Sequence, residues 1–379
     1  MKALVLFPYP VEADGQSIQG NMLYQGLLNH GVNAIPCHFK ESIQKEYYLR
    51  NFKPDVAIGI GFWGNVPEVV QDPFKWGITP VPWFNADGWV ANYKTEFEKL
   101  KLMFTTSEWV RSVYKRDGVD VSKIVPMPIG IDTQLFKPKE DVQSNFALRR
   151  MLGVRDSEKM ILTMGGDVTS KGAQEMMHAL AEIDKDFKNW KYICKSWPSD
   201  CAHEWREREE KLASELGIRD KIIFHDDAWS PEFMSDALNT CDIYAAPSRI
   251  EGFGMIQVEA MACGKPVISI NAGGPAETII HGKTGFLADV AEEIQLKEEW
   301  AYPSMGYSSK QIVNFESPKT FAYRAKIEDL RDHTLNLLTN PDLCLKMGKD
   351  GRKHSVNNFD YKVTSKKMLD IIKEKLEIR

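Results

Sequence analysis

Several features that would assign this chain to a common class of protein are missing from its sequence. The six cysteines contain no CxxC pair, and the eight histidines form no HExxH or HxxxH pattern. Spacings of this kind are typical of structural zinc sites and redox motifs. We therefore expect free, buried thiols in a reducing cytosol, and neither a structural nor a catalytic metal.

Long apolar runs and an excess of basic charge are also missing. No apolar stretch approaches the roughly 18–20 residues that a membrane-spanning helix needs. The formal net charge is −5 at pH 7, which argues against a nucleic-acid-binding role. The short apolar start leads into Pro8 and Pro10 without a small-residue cleavage site, so it predicts a buried strand rather than a signal peptide. We expect a cytoplasmic protein.

Short apolar segments alternate with helical patterns along most of the chain. Strands are predicted at residues 3–7, 55–60, 79–84, 102–106 and 123–126, and again at 160–164, 190–194, 222–225, 243–246 and 266–269. Such alternation is typical of a parallel sheet with helices on both faces. A connector rich in proline and glycine separates the two series near residues 126–145. The sequence therefore predicts an α/β protein with two doubly wound, Rossmann-like domains.

We place the first domain at residues 1–140 and the second at 141–359, and we expect a C-terminal helix, at about 360–379, to pack back on the first. Ligands bind beyond the carboxyl ends of the strands in such folds, so the domains are expected to face each other across a cleft. The segment 292–321 interrupts the alternation. It could be a lid, an acceptor-contacting segment or an oligomer contact, and the sequence does not choose among these.

The segment most informative about chemistry joins a predicted strand to a predicted helix through a glycine-rich turn. Gly252 and Gly254 allow the backbone to approach a ligand, and a helix that begins near Met255 offers unpaired N–H groups to a phosphate. Glu251 precedes this helix, and Glu259 lies about one turn inside it. A carboxylate at the second position can accept hydrogen bonds from ribose hydroxyls. Taken alone, the spacing also fits an ordinary strand–loop–helix.

This turn and its surroundings resemble the retaining glycosyltransferases of family 4, which have the two-domain GT-B fold. The matching residues are Glu251-Gly-Phe-Gly254, Glu259-Ala-Met-Ala262, Gly264-Lys-Pro-Val267, Gly273-Gly274, Glu277, His281-Gly-Lys-Thr-Gly285, Pro128-Ile-Gly-Ile-Asp132, Phe136 and Lys171-Gly172. The resemblance implies transfer of a hexosyl group from a UDP- or GDP-sugar to a hydroxyl acceptor, with retained anomeric configuration and without a metal or other cofactor. The similarity covers most of residues 1–290.

The resemblance also implies roles for individual residues. Glu259 would bind the ribose hydroxyls, Glu251 would contact hydroxyls of the donor sugar, and Lys171 would neutralise the diphosphate. A solvated lysine at a helix start is the ordinary alternative for Lys171. The donor-binding turn would comprise Gly252, Phe253, Gly254 and Met255, with backbone N–H groups of the last three holding the sugar and the phosphates.

Two departures from the family pattern lie at expected contacts. Gly166 stands where the family usually has an arginine, and Arg249 could replace that phosphate contact or form a salt bridge instead. Asn85 stands where many relatives have a histidine near the donor sugar, and Asp87 could orient the acceptor hydroxyl. An ordinary turn is the alternative for both, because Asn-Ala-Asp-Gly is also good turn sequence.

Three further residues are candidates for donor contacts. Gly15 and Gln16 follow the first predicted strand and could contact the diphosphate or the acceptor. This loop lacks the GxGxxG pattern of dinucleotide-binding folds, and a plain turn in which Ser17 caps the next helix is the alternative. Trp197 could stack on a base or ribose, or simply pack against its neighbours.

The partners predicted from the sequence are a nucleotide-sugar donor and a glycan, lipid-linked or small-molecule acceptor. Residues 40–53 combine aromatic and basic side chains that could touch a membrane surface, but a solvated helix is the better interpretation. The competing hypotheses are a nucleotide-sugar epimerase and a nucleotide-sugar-binding protein without catalysis. The oligomeric state is left open.

Overall fold

The structure of this chain is a computed structural model that describes residues 1–86, 88–139, 142–198 and 200–378, and the side chains of all of these except 142–144 and 200–204. The chain divides into two compact units. The first comprises Met1–Asp132, Gln295–Phe321 and Asn358–Arg379, and the second comprises Thr133–Ile294 and Ala322–Asn357. Each unit contains one six-stranded sheet.

The regular elements, in chain order, alternate between the two types over most of the sequence. The strands are β1 (Lys2–Phe7), β2 (Asn33–His38), β3 (Val56–Phe62), β4 (Thr79–Asn85), β5 (Met103–Thr105), β6 (Ile124–Pro126), β7 (Lys159–Met164), β8 (Trp190–Lys195), β9 (Ile222–His225), β10 (Ile243–Ala245), β11 (Val267–Ile270), β12 (Gly285–Ala288), β13 (Val290–Ala301) and β14 (Gln311–Ala325). The α-helices are α1 (Gly15–Asn29), α2 (Ser42–Tyr47), α3 (Asp72–Lys75), α4 (Lys94–Lys99), α5 (Glu108–Arg116), α6 (Val142–Met151), α7 (Ala173–Ile183), α8 (Asp200–Glu215), α9 (Pro231–Thr240), α10 (Met255–Ala262), α11 (Pro275–Thr278), α12 (Ile327–Thr339), α13 (Pro341–Phe359) and α14 (Tyr361–Leu376).

The sheet of the first unit has the strand order β2-β1-β3-β4-β5-β6, and its neighbouring strands pair in parallel. Strands β1 and β3 are almost continuously apolar because helices cover both faces of a parallel sheet. The order reverses between β1 and β3, which makes the loop after β1 a candidate ligand-binding loop. Helix α14 packs on α1, where Gly26 leaves no room for a Cβ atom beside Ser365.

The sheet of the second unit has the order β12-β11-β10-β7-β8-β9, again with parallel pairing. Strands β8 and β9 therefore lie on one side of β7, and β10, β11 and β12 lie on the other. This is the strand order of a Rossmann fold, and the reversal lies between β7 and β10. The prediction of two Rossmann-like parallel sheets is confirmed.

The edges of the two sheets differ from the sequence-based prediction. Strands β2 and β12 were not predicted, and both lie at a sheet edge. Edge strands are short and tolerate proline, as Pro36 in β2 illustrates, so they lack the apolar run that marks a central strand. Helix α6 begins inside the segment that was read as a polar connector.

The division into units also differs from the predicted domain limits. The first crossing between the units lies at residues 132 and 133 rather than near 140, and residues 295–321 join the first unit instead of the second. Strands β13 and β14, which form a separate two-stranded ribbon, account for this segment. Within the described ranges we find no helix whose length and hydropathy would suffice to span a bilayer.

Candidate functional site

The candidate site of the second unit lies where the strand order reverses. Strands β7 and β10 are direct neighbours, with Ile161 opposite Ile243. The loops that follow them, residues 165–172 and 246–254, therefore start at the same edge of the sheet. Ligands of doubly wound sheets bind at this position. The structure thus brings together two segments that the sequence analysis selected independently.

A glycine turn joins β10 to α10 and determines how the helix begins. Gly254 caps the helix with a φ of 91°, which residues with a side chain rarely adopt. Gln257 fixes the helix to the strand, because its amide nitrogen donates to the Ala246 carbonyl oxygen at 2.7 Å. Gly274 lies so close to the turn that a Cβ atom would come within 2.4 Å of the Phe253 backbone. Contacts with two neighbouring segments therefore hold the turn in one conformation.

Glu251 and Lys171 form an ion pair between the two loops. The Lys171 Nζ atom lies 2.6 Å from Glu251 Oε2, and the side chains are 23% and 19% exposed. Burial opposes ionisation of Glu251, but the Lys171 ammonium and hydrogen bonds from the backbone of Gly254 and Phe253 outweigh it and lower the pKa of Glu251. The Glu251 carboxylate therefore binds Lys171 and the N–H groups of Phe253 and Gly254, which were expected to bind the donor.

Glu259 is a buried carboxyl group that lacks part of its hydrogen bonding. It lies on α10 and is 4% exposed, and its Oε2 atom has no hydrogen-bond partner among the described residues. Burial raises the pKa of Glu259 to about 8. An unpartnered buried polar group costs free energy, and native proteins keep few of them. Glu259 is therefore the residue of this unit whose chemistry most clearly calls for a ligand.

Arg249 is held by a neighbouring carboxylate. Its Nε and Nη2 atoms donate to the two carboxylate oxygens of Glu175 at 3.0 and 3.1 Å, and Nη2 also donates to Gln174 at 2.9 Å. Bidentate geometry of this kind fixes a guanidinium in place. The structure thus contains the salt bridge that was the alternative to a phosphate contact, and such a contact would require this pair to open.

Gly166 lies where the loops after β7 and β8 meet. Its carbonyl oxygen accepts a hydrogen bond from the Trp197 backbone N–H at 3.0 Å. Among the described residues, no heavy atom outside the immediate neighbours would lie within 4 Å of a Cβ atom at Gly166, and the backbone there does not have a positive φ. The position therefore has room for the arginine side chain that the family pattern would place there.

The ends of β8 and β9 bring a lysine between aromatic rings. Lys195 is 4% exposed, and its ammonium lies 5.7 Å from the ring centre of Trp197 and 5.6 Å from that of Trp229. Burial lowers the pKa of Lys195. Within the described residues, the Nε2 atom of His225 is buried without a hydrogen-bond partner. The sequence analysis named Trp197 but not Trp229, which follows β9 by four residues.

Two candidate residues of the first unit, Gly15 and Gln16, begin helix α1. The Asp14 carboxylate accepts hydrogen bonds from the N–H groups of Gln16 at 2.9 Å and Ser17 at 3.0 Å. Asp14 is therefore the cap of this helix, and the alternative in which Ser17 caps it was wrong. The Ser17 hydroxyl instead donates to the Pro8 carbonyl oxygen at 2.8 Å, which ties the helix start to the end of β1.

Asn85 is the last residue of β4, and two neighbours hold it. Thr106 Oγ1 donates to Asn85 Oδ1 at 3.2 Å, and the Tyr114 hydroxyl donates to the Asn85 carbonyl oxygen at 3.3 Å. Asp87 lies outside the described residues. The roles of Asn85 near the donor sugar and of Asp87 in orienting the acceptor hydroxyl stay predictions.

The described part of the chain contains no candidate metal site, and its cysteines are free thiols. No group of three or more His, Cys, Asp and Glu side chains there is arranged to hold a metal ion. Five of the cysteines are described and all five are free, four of them buried. Burial raises the pKa of Cys241 and of Cys263 to about 12, which keeps these thiols protonated.

Comparison with known proteins places this architecture in a class. The structure of Anabaena HepE in complex with UDP and glucose has a TM-score of 0.72 to this chain, with 15% sequence identity over 99% of this chain and 100% of that one. The fold of two parallel doubly wound sheets is that of the GT-B glycosyltransferases. Residues 144–302 match the family model described as "Glycosyl transferases group 1". The sequence match to this family thus lies mostly in the second unit and covers less than half of the chain.

Two relatives illustrate how far the sequence similarity extends. The D-inositol 3-phosphate glycosyltransferase of Xylanimonas cellulosilytica is 28% identical over 190 residues, which are 50% of this chain and 44% of that protein. The N-acetyl-α-D-glucosaminyl L-malate synthase of Bacillus anthracis is 28% identical over 232 residues, or 54% of this chain and 58% of that protein. The chain thus spans about half the length of the curated relatives that it matches.

We predict that Glu259→Gln stabilises the protein by a margin that grows with pH. The pKa of Glu259 is raised from 4.5 to about 8, so below about pH 4.5 the group is protonated in the folded and the unfolded chain alike. Between about pH 4.5 and about pH 8 the unfolded chain loses this proton and the folded chain keeps it, so the free energy of unfolding falls as pH rises. The neutral amide of glutamine does not ionise, so it does not cause this loss of stability. The apparent melting temperature of the variant should therefore exceed that of the unaltered chain increasingly between about pH 5 and about pH 8.

The matched control for this measurement is Glu298→Gln, at an exposed position on β13. It should show no comparable trend with pH. A margin for Glu259→Gln that stays constant or becomes negative as pH rises would mean that the folded protein already satisfies the ionised carboxylate.

Proposed function

We propose that this chain is a retaining, metal-independent glycosyltransferase that moves a hexosyl group from a UDP- or GDP-sugar to a hydroxyl acceptor. The match of residues 144–302 to the family model "Glycosyl transferases group 1" supports glycosyl transfer. The observation that carries the proposal is the buried, unpartnered Glu259 on the helix that begins at the Lys171–Glu251 pair. A nucleoside diphosphate offers matching groups, because its ribose carries hydroxyl donors and its phosphates carry negative charge.

The spacing along α10 fits a nucleotide whose phosphates lie at the helix start. Glu259 lies four residues after Met255, which is about 6 Å along the helix axis. A ribose attached to those phosphates would then reach the Glu259 carboxyl. Its hydroxyls would supply the hydrogen bonds that the Oε2 atom lacks, and binding would thereby recover the cost of burying this group.

The diphosphate would be held by Lys171 and by the N–H groups at the start of α10. In the structure, Lys171 pairs with the Glu251 carboxylate and these N–H groups donate hydrogen bonds to it. We propose that donor binding exchanges the partners: the diphosphate takes over Lys171, and hydroxyls of the sugar donate to Glu251 in return. Recognition of the sugar would thereby be coupled to release of the cation that stabilises the leaving group.

The nucleobase would lie at the ends of β8 and β9. The Trp197 residue is 38% exposed and offers an aromatic surface for stacking. The Lys195 ammonium beside it could donate to a carbonyl oxygen, which both uracil and guanine carry. The complex of Anabaena HepE with UDP makes a UDP-sugar the first donor to test.

The acceptor would be bound by residues of the first unit, namely Gly15, Gln16, Asn85 and Asp87. The names of the two relatives contain D-inositol 3-phosphate and L-malate, which are small anionic compounds with free hydroxyls. We therefore propose these two compounds as the first acceptors to test, ahead of glycans and lipid-linked sugars.

We propose a same-face displacement for the chemical step. The bond between the anomeric carbon and the diphosphate oxygen breaks while the acceptor oxygen bonds to the same face of that carbon. The acceptor's proton passes to an oxygen of the departing diphosphate. Lys171 and the N–H groups of α10 would stabilise the charge that develops on that diphosphate, which is the task of a divalent metal in other enzymes.

One observation favours a second candidate function. Gly166 provides no cation where the family pattern has an arginine, and Arg249 is paired with Glu175. With one positive charge fewer, the chain could bind a nucleotide-sugar without turning it over. Measurement of turnover separates this candidate from the first.

The proposal predicts that the protein releases UDP from UDP-glucose in the presence of EDTA, and faster when an acceptor is added. Lys171→Gln should reduce turnover by about 100-fold or more, because the leaving diphosphate loses its cation. Glu251→Gln should also reduce turnover, yet it should bind UDP at least as tightly as the unaltered chain, since the diphosphate no longer competes with the Glu251 carboxylate for Lys171. UDP release and the Kd for UDP are the two readouts.

Lys297→Gln, at an exposed position of the ribbon, is the control for these variants. Full turnover in Lys171→Gln would contradict the site, and loss of activity in EDTA with recovery on adding Mg²⁺ would contradict metal independence. Tight UDP binding without turnover by the unaltered chain would instead favour the binding protein.

A gain of affinity is expected at the open position in the loop after β7. Gly166→Arg should tighten UDP binding by about tenfold, because the guanidinium adds a charge-assisted hydrogen bond to a phosphate. Gly166→Ala, which adds a side chain without charge, should leave the Kd unchanged. Equal Kd values for the two variants would show that the diphosphate does not pass near this residue.

A further inference from the structure

The ribbon of β13 and β14 interrupts the alternation of strands and helices, and most of it belongs to the first unit. Residues 295–321 are grouped with that unit, although the residues on either side of this segment belong to the second. The connection between the strands, residues 302–310, is too short for a parallel crossover, so the strands form a hairpin. Within the first unit, the ribbon and its connection contact residues 89–92 and the loop after β3.

Aromatic side chains of the ribbon pack on Trp89. This residue is 4% exposed, and its ring lies 5.4 Å from that of Phe315 and 6.2 Å from that of Phe321. Trp63, from the loop after β3, contacts the same ring at 5.3 Å. Because aromatic pairs at these distances add to the stability gained from burial, the ribbon contributes to holding Trp89 in place.

A buried carboxylate connects the ribbon to the backbone next to Trp89. Asp117 follows α5, and its side chain is 1% exposed. Its Oδ1 atom accepts a hydrogen bond from Lys319 Nζ at 2.8 Å, and its Oδ2 atom accepts one from the Val90 N–H at 2.7 Å. One carboxylate thus joins a cation of the ribbon to the amide of Val90.

Arg116 provides a parallel connection. Its guanidinium donates to the Gly88 carbonyl oxygen, to the Thr320 carbonyl oxygen at 3.3 Å and to Asp117 Oδ1 at 2.9 Å. Burial opposes ionisation of Asp117, but Arg116 and Lys319 outweigh it and lower its pKa. Removing one partner of a buried charge lowers stability, so Arg116 and Lys319 both contribute to keeping Asp117 ionised and in place.

The backbone between these contacts carries the residues proposed to bind the acceptor. Tyr114 and Thr106 hold Asn85 through hydrogen bonds, and Asp117 accepts one from the Val90 N–H. Contacts of this kind restrict the backbone of the residues that they hold. Such preorganisation lowers the cost of orienting a substrate.

We propose that the ribbon is a positioning element for residues 85–86 and 88–90, with Lys319 as a positioning residue that acts through Asp117. This inference rests on the proposed function, because that function assigns Asn85 to acceptor binding. It also decides among the roles that the sequence left open for residues 292–321. The ribbon acts by holding another segment, not by touching the substrate itself.

Hydrogen–deuterium exchange of the full chain tests whether the ribbon orders this segment. Lys319→Met keeps the aliphatic stem and removes the ammonium, and the Val90 amide should then exchange about tenfold faster. Lys319→Arg should restore exchange to within about twofold of the unaltered chain. Lys297→Met makes the same change at an exposed position of the ribbon and should have no effect. Unchanged exchange at Val90 in Lys319→Met would overturn the proposal.

Kinetics test whether the ordering serves the acceptor. With UDP-glucose and whichever of D-inositol 3-phosphate and L-malate accelerates UDP release, Lys319→Met should raise the acceptor KM by about fivefold or more. UDP release without an acceptor should stay within about twofold, since the donor-site residues belong to the second unit. An unchanged acceptor KM beside faster exchange at Val90 would overturn the positioning role. Absence of UDP release from the unaltered chain would contradict the proposed function instead, and the exchange result would be unaffected.

Discussion

A carboxyl group buried without all of its hydrogen bonds is the constraint on which this account depends. Glu259 is raised in pKa to about 8 by burial alone, whereas Glu251 is held ionised by Lys171 and by backbone N–H groups. Two acids of the same turn and helix thus have opposite environments, and such pairs mark a division of roles. The environment of Glu251 fits a carboxylate that exchanges Lys171 for sugar hydroxyls when a donor binds. The environment of Glu259 fits a carboxyl group whose missing hydrogen bonds are supplied by the ribose of the nucleotide.

The fold explains why these groups meet. Lys171 and Glu251 are 80 residues apart in sequence, yet they lie on loops that follow adjacent strands at the reversal of the strand order. The N–H groups at the start of α10 point to the same place because Gly254 adopts a conformation that ends the turn and begins the helix. The strand order and the conformation of Gly254 thus bring Lys171, the start of α10 and two carboxyl groups to one edge of a sheet.

Central features of this molecule could be read from the sequence, and features that depend on long-range contacts could not. Buried central strands such as β3 are continuous apolar runs, and the turn at Gly252 and Gly254 has a local glycine signature. Edge strands lack such runs, and the cap of α1 was misassigned because Asp14 and Ser17 are both good capping residues. The pairing of Asp117 with Lys319 spans 202 residues, so no local pattern announces it.

The measurement that tests the central claim most directly is a crystal structure of the chain with UDP bound. The account predicts a ribose hydroxyl within hydrogen-bonding distance of the Glu259 carboxyl, and the diphosphate against Lys171 with the Lys171–Glu251 distance lengthened. A nucleotide bound elsewhere, or a ribose turned away from an unchanged Glu259, would contradict it.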